Sequence, residues 1–285
     1  MMTNRLQTQG ARGNRIPATS KGGHRIAVFG GKGGVGKTNI ATNLAVAAAA
    51  LDSRVLLVDG DLGLANVDVL LGLTPRGTAA DLLCGRSDLD DVLVEGPGGI
   101  HVVPAASARM DLASSRPAEL TRLLAPILEA GHRYDLVIVD IGSGVSAPVL
   151  SLASVCDRAL LVTTPELTSI ADAYGTMKVV RQVAPELPLE LLVNVAQDEL
   201  QALAAHRHLE RIGARFLGFE IPLRGFLMRD PRLVEAVSAQ RAVVEAFPSA
   251  PVSQQLVKLA AGLVGEIGKV PPTTRRTDRW RKVTS

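Results

Sequence analysis

Two lysines frame a glycine-rich run in this chain, Gly30-Gly31-Lys32-Gly33-Gly34-Val35-Gly36-Lys37-Thr38. Gly31 and Gly36, followed directly by Lys37 and Thr38, have the spacing of a loop that cradles phosphate. Glycine lets the backbone approach an anion without a Cβ in the way. The N–H groups from Gly31 through Lys32, Gly33, Gly34, Val35 and Gly36 can then turn inward as an anion nest. The helix opening at Asn39 adds its positive pole. Lys37 supplies a point charge for β- and γ-phosphates, and Thr38 a hydroxyl for Mg²⁺. Lys32 is a second cation at the head of the loop, beyond what one phosphate chain requires.

Three aspartates supply the complementary chemistry. Val55-Leu-Leu-Val-Asp59-Gly60-Asp61 and Leu136-Val-Ile-Val-Asp140 are apolar runs ending in carboxylates. A Mg·nucleotide site needs a carboxylate near the metal, directly or through water, and hydrolysis needs a group that orients the attacking water. Asp140 is expected to serve the metal, Asp59 its outer shell, and Asp61 the water. Gly144, in Gly142-Ser143-Gly144, offers a backbone able to approach the γ-phosphate. Asn194 ends another apolar run, where its amide either reads an adenine edge or turns the chain.

These groups need a scaffold that brings strand ends together. Strands are expected at 25–29, 54–58, 100–103, 136–139, 159–162, 191–193 and 223–227, and helices at 39–51, 117–130, 146–155, 168–183, 198–211, 231–239 and 252–267. Apolar strands without polar alternation predict a mostly parallel, doubly wound α/β sheet with helices on both faces. Ligands of such sheets bind beyond the carboxyl ends of the strands, where the loop and the aspartates lie. One domain is expected over 25–268, between basic tails at 1–24 and 269–285 that lack the composition to order themselves.

With 47% hydrophobic residues and a formal charge of only +3, the chain has the makings of a full core. No apolar run reaches membrane-spanning length. Cys84 and Cys156 match no metal spacing and read as small buried residues of a reducing, cytoplasmic compartment. Neither tail has a clear amphipathic face, so they read as solubilising segments and direct DNA binding is not expected. The apolar face of 253–267, with Leu256, Leu259, Leu263 and Ile267, reads as a core helix rather than a membrane anchor.

On these residues the chain resembles the deviant-Walker ATPases of the MinD/ParA family, whose signature lysine corresponds to Lys32. The resemblance implies a P-loop NTPase fold, ATP and Mg²⁺ as ligands, and slow ATP hydrolysis. It also implies an ATP-dependent homodimer in which Lys32 reaches the partner's phosphates, and it favours the base contact for Asn194. Within the family the chain is most similar to flagellar number regulators of the FlhG/FleN type, through 59–73, 96–107, 164–174 and 240–248. That likeness implies an FlhF-type GTPase, a flagellar master transcription regulator and flagellar switch proteins as partners. It also implies a place in the cytoplasm, at the inner face of the membrane or at the cell pole. DNA partition and division-site placement are the alternative outputs. Ile141-Gly-Ser-Gly144 and Met228 depart from the family pattern, and the N-terminal tail lacks the activation motif Asp-Gln-Ala.

Overall fold

The β-rich run after His24 becomes the middle of the sheet because its side chains are apolar on both faces. In the computed structural model, which describes residues 23–61, 66–83, 86–105 and 132–267, β1 (His24–Gly30) is buried almost throughout. The other strands are β2 (Val55–Gly60), β3 (Val94–Glu95), β4 (His101–Val103), β5 (Leu136–Ser143), β6 (Arg158–Thr163), β7 (Leu189–Ala196) and β8 (Leu223–Met228). Their order is β3-β4-β2-β5-β1-β6-β7-β8. All pairings are parallel except β3 with β4. The mostly parallel, doubly wound α/β fold expected from the sequence is therefore present.

Helices cover both faces. On one lie α1 (Lys37–Ala49), α2 (Val67–Leu71), α8 (Pro231–Ser238), α9 (Val243–Ala246) and α10 (Pro251–Val264). On the other lie α3 (Ala79–Leu83), α4 (Leu89–Val92), α5 (Ala147–Ser154), α6 (Leu167–Val183) and α7 (Glu199–Leu217). With both faces covered, β2 and β5 need no polar alternation.

The order reverses around β1. From β1 the chain crosses to β2, returns to β5 between them, and then proceeds outward through β6. This switch point aligns Asp59 with Asp140 across β2 and β5, and Val28 with Asp140 across β1 and β5. The site is built at this corner.

Some boundaries differ from expectation. Helix α7 continues beyond 211 to Leu217. Gly213 does not break it: a Cβ there would stand 2.7 Å from Met177 Cε, so the glycine admits the neighbouring helix. The stop is Gly218, in left-handed conformation at φ 59°. The short elements β3, α2, α3, α4 and α9 were not anticipated. The expected helix at 117–130, Cys84 and nearly all of both basic tails lie outside the described residues. Cys156 is buried, its Sγ donating to the Leu152 carbonyl at 3.4 Å. Among the described residues no helix is long and apolar enough to cross a membrane.

Helix α10 buries Val252, Leu256, Ala260 and Leu263 in the same cluster as α1 residues Ile40, Leu44 and Ala48. Removing most of a side chain from such a packed site costs about 2–5 kcal/mol. Leu256→Ala should lower the unfolding free energy by that amount in urea titration. An unchanged midpoint would show that this helix is not part of the core.

Candidate nucleotide site

The glycine-rich loop runs from the end of β1 to the start of α1. Gly36 sits at the helix N-cap with φ 92°, a conformation that favours glycine, and no side chain caps the helix there. The first turn of α1 also contains no acidic residue. Its free N–H groups and positive pole therefore face the loop without a built-in anion, which suits phosphate.

Three outside contacts hold the loop in shape. A Cβ on Gly31 would lie 2.3 Å from the Asp172 carbonyl oxygen, so α6 touches the loop backbone directly. On the other side, buried Asn194 donates from Nδ2 to the Val35 carbonyl at 2.8 Å. The same nitrogen would be 2.4 Å from a Cβ on Gly36. Asn194 thus braces the loop, a role not read from the sequence. Similarly, Gly144 donates its N–H to the Gly30 carbonyl at 3.1 Å, tying the end of β5 to the loop. Gly33 and Gly34 are exposed, and Thr38 and Asn39 half-buried.

The two lysines occupy different surroundings. Lys37 is 8% exposed and donates to the Lys32 carbonyl at 3.4 Å. Burial lowers its pKa, while Asp140 and Asp61 oppose the shift. Lys32 is half-buried at the mouth, where Nζ donates to Glu166 Oε2 and Thr168 Oγ1, each at 3.3 Å. Glu166 and Thr168 lie between β6 and the first turn of α6, and no spacing rule connects them to the loop in the sequence.

The carboxylates form a graded set. Asp59 is 1% exposed. Its Oδ1 accepts from Asp61 N at 3.1 Å and its Oδ2 from Asn66 N and Val67 N at 3.1 and 3.2 Å. Burial raises its pKa to about 6 against the pull of those amides. Asp59 therefore holds the start of α2 from the side of the site. Asp61 is half-buried and lies close to Gly142, where a Cβ would come within 3.3 Å of its Oδ1.

Asp140 is 1% exposed, and neither of its buried oxygens has a hydrogen-bond partner. Burial is the main cause that raises its pKa to about 7. The polar Thr38 side chain and Lys37 work against this; Asp59 and Asp61 reinforce it. A buried, unpartnered carboxylate beside a hydroxyl and a second carboxylate fits a hard divalent cation with oxygen ligands. Thr38 and Asp140 would hold Mg²⁺, with Asp59 behind them.

This arrangement has a cost for the ligand-free protein. A carboxyl whose folded-state pKa is raised stabilises the fold while protonated. That stability is present below pH 3.8 and is lost as the pH rises through about 7. Asp140→Asn should therefore be more stable than the parent at pH 8 without nucleotide or metal, by on the order of 1–4 kcal/mol. The difference should shrink toward pH 4. Equal denaturation midpoints at both pH values would contradict the buried, unpaired state of Asp140.

Residues 26–243 match the family model described as the CobQ/CobB/MinD/ParA nucleotide binding domain. The chain is 42% identical to the antiactivator FleN of Pseudomonas aeruginosa, over 80% of this chain and 81% of that protein. It is 27% identical to the flagellum site-determining protein YlxH of Helicobacter pylori, over 85% of this chain and 82% of the other. Among solved structures, the cell division ATPase MinD of Pyrococcus furiosus superposes with a TM-score of 0.72 at 26% identity, covering 85% of this chain and 98% of that one. The loop, the paired strand-end aspartates and the extent of these matches agree: the chain belongs to the CobQ/CobB/MinD/ParA family of nucleotide-binding domains.

Proposed function

We propose that this protein is a Mg²⁺-dependent ATP hydrolase that dimerises when it binds ATP, and that the dimer restrains the number or placement of flagella through protein partners. The observation that carries the reading is the division of labour between the two loop lysines. Lys37 is buried beside Asp140 and Asp61, as a residue serving its own subunit's phosphates must be. Lys32 is half-buried at the mouth of the site and is held by Thr168 and by an ion pair with exposed Glu166, the latter of a kind worth about 0–1 kcal/mol. It is therefore free to move to a phosphate on a second copy.

In this reading the loop amides and Lys37 hold the β- and γ-phosphates, while Asp61 orients a water on the γ-phosphorus. The water oxygen bonds to phosphorus as the bond to the β–γ bridging oxygen breaks, leaving ADP and phosphate. Bound Mg²⁺ supplies charge neutralisation at the phosphate oxygens. Asp59 keeps the residues after β2 in place, and Asn194 with the α6 backbone keeps the loop shaped for phosphate. Catalysis is mainly positioning and charge stabilisation.

The flagellar output is supported by the 42% identity to FleN. On the same likeness, the partners are an FlhF-type GTPase, a flagellar master transcription regulator and flagellar switch proteins, met in the cytoplasm or at the membrane's inner face. Deleting the gene and counting flagella by electron microscopy tests this output. The count should rise or the placement scatter, and Lys37→Ala should fail to restore it; an unchanged pattern would remove the flagellar reading.

The two chemical roles separate in vitro. Lys32→Ala should bind ATP yet remain monomeric in light scattering, where the parent doubles its mass. Asp61→Ala should dimerise normally while hydrolysis falls about 10²-fold. A dimer of the first variant, or full turnover by the second, would remove the corresponding assignment.

A further inference from the structure

The segments 59–73 and 240–248, which lie far apart in the sequence, meet at one side chain. Gln240 donates from Nε2 to the Val69 carbonyl at 2.9 Å, and its Cβ lies 3.5 Å from where a Cβ on Gly72 would stand. Its own φ is 53°, a left-handed conformation uncommon for a residue with a Cβ. That conformation carries strain, which surrounding contacts must hold in place.

The contact closes a loop of constraints on α2. This helix has only five residues, too few to hold itself together. Its first turn is held by Asp59, which accepts from Asn66 N and Val67 N. Its last turn is held by Gln240. The segment that carries Gln240 is tied in turn to the phosphate-loop helix: Val244 N donates to Asn43 Oδ1 of α1 at 3.2 Å. Ser253 of α10 donates to the Val243 carbonyl at 3.0 Å. Gln240 thus links the far end of α2 to the same body that carries Lys37 and Thr38. The near end of α2 shares the Asp59 carboxylate with the Asp61 amide.

We infer that Gln240 is a positioning residue for hydrolysis: through α2 and Asp59 it fixes where Asp61 stands relative to the phosphate loop. Gln240 touches neither nucleotide nor water in this account. The inference rests on the proposed ATP hydrolysis with Asp61 as the water-orienting group.

The test uses the full-length chain with Mg·ATP and two variants. Gln240→Glu keeps the size of the side chain but replaces the donor with an acceptor, which repels the Val69 carbonyl. Gln240→Lys restores a donor. Gln240→Glu should lower kcat about tenfold with KM for ATP within about twofold of the parent and an unchanged melting temperature. Amide exchange over 67–71 should speed up while that of 37–49 does not, and Gln240→Lys should return both readouts toward the parent. Parent-like turnover in Gln240→Glu, unchanged exchange over 67–71, or a joint loss of kcat, KM and thermal stability would overturn the positioning role. A parent protein that binds Mg·ATP without hydrolysing it would instead overturn the hydrolase reading, and this inference with it.

Discussion

Asp140 stands where β1, β2 and β5 end together, its carboxylate out of water and its oxygens unbonded. Lys37, of opposite charge and also buried, is near enough to feel it; neither lies in an ion pair among the described residues. Two opposite charges taken out of water without meeting are unfavourable unless something is built to sit between them. A metal-bound polyphosphate has that character, with a cation for Asp140 and anionic oxygens for Lys37. The stability lost at this corner is the cost of a site complementary to a ligand rather than to itself.

The rest of the fold keeps that corner rigid where rigidity matters. The phosphate loop is braced by the α6 backbone at Gly31 and by Asn194 at Val35 and Gly36. Neither brace comes from the loop's own helix, so the loop keeps its shape through packing of the whole sheet. Lys32 is the exception. Its contacts with Glu166 and Thr168 are at the surface, of a kind that contributes little to stability. The same few residues thus combine a braced cradle with one weakly held cation.

Much of this architecture was legible in the sequence, because the signals are local. Apolar strands ending in Asp59 and Asp140, and a glycine loop between a strand and a helix, mark both the sheet and its corner. The core assignment of the last helix followed from the spacing of Leu256 and Leu263. What escaped has a physical reason. Asn194 braces a loop 159 residues away, and Glu166 holds a lysine 134 residues away; tertiary placement alone creates such pairs. Helix α7 outruns its expected end at 211 because propensity ignores the room that the missing Cβ of Gly213 makes for Met177. The five-residue α2 carries no periodicity that a sequence could display, and the three backbone amides that Asp59 accepts from are set by the fold after β2 rather than by any local pattern.

The most direct measurement is a crystal structure of the full chain grown with Mg²⁺ and a non-hydrolysable ATP analogue. The metal should lie against Thr38 with Asp140 beside it, directly or through water. Lys32 should be released from Glu166 and bound to the phosphates of a second copy. Nucleotide bound with Asp140 still unpartnered, or with Lys32 still on Glu166 and no second copy facing it, would contradict these placements.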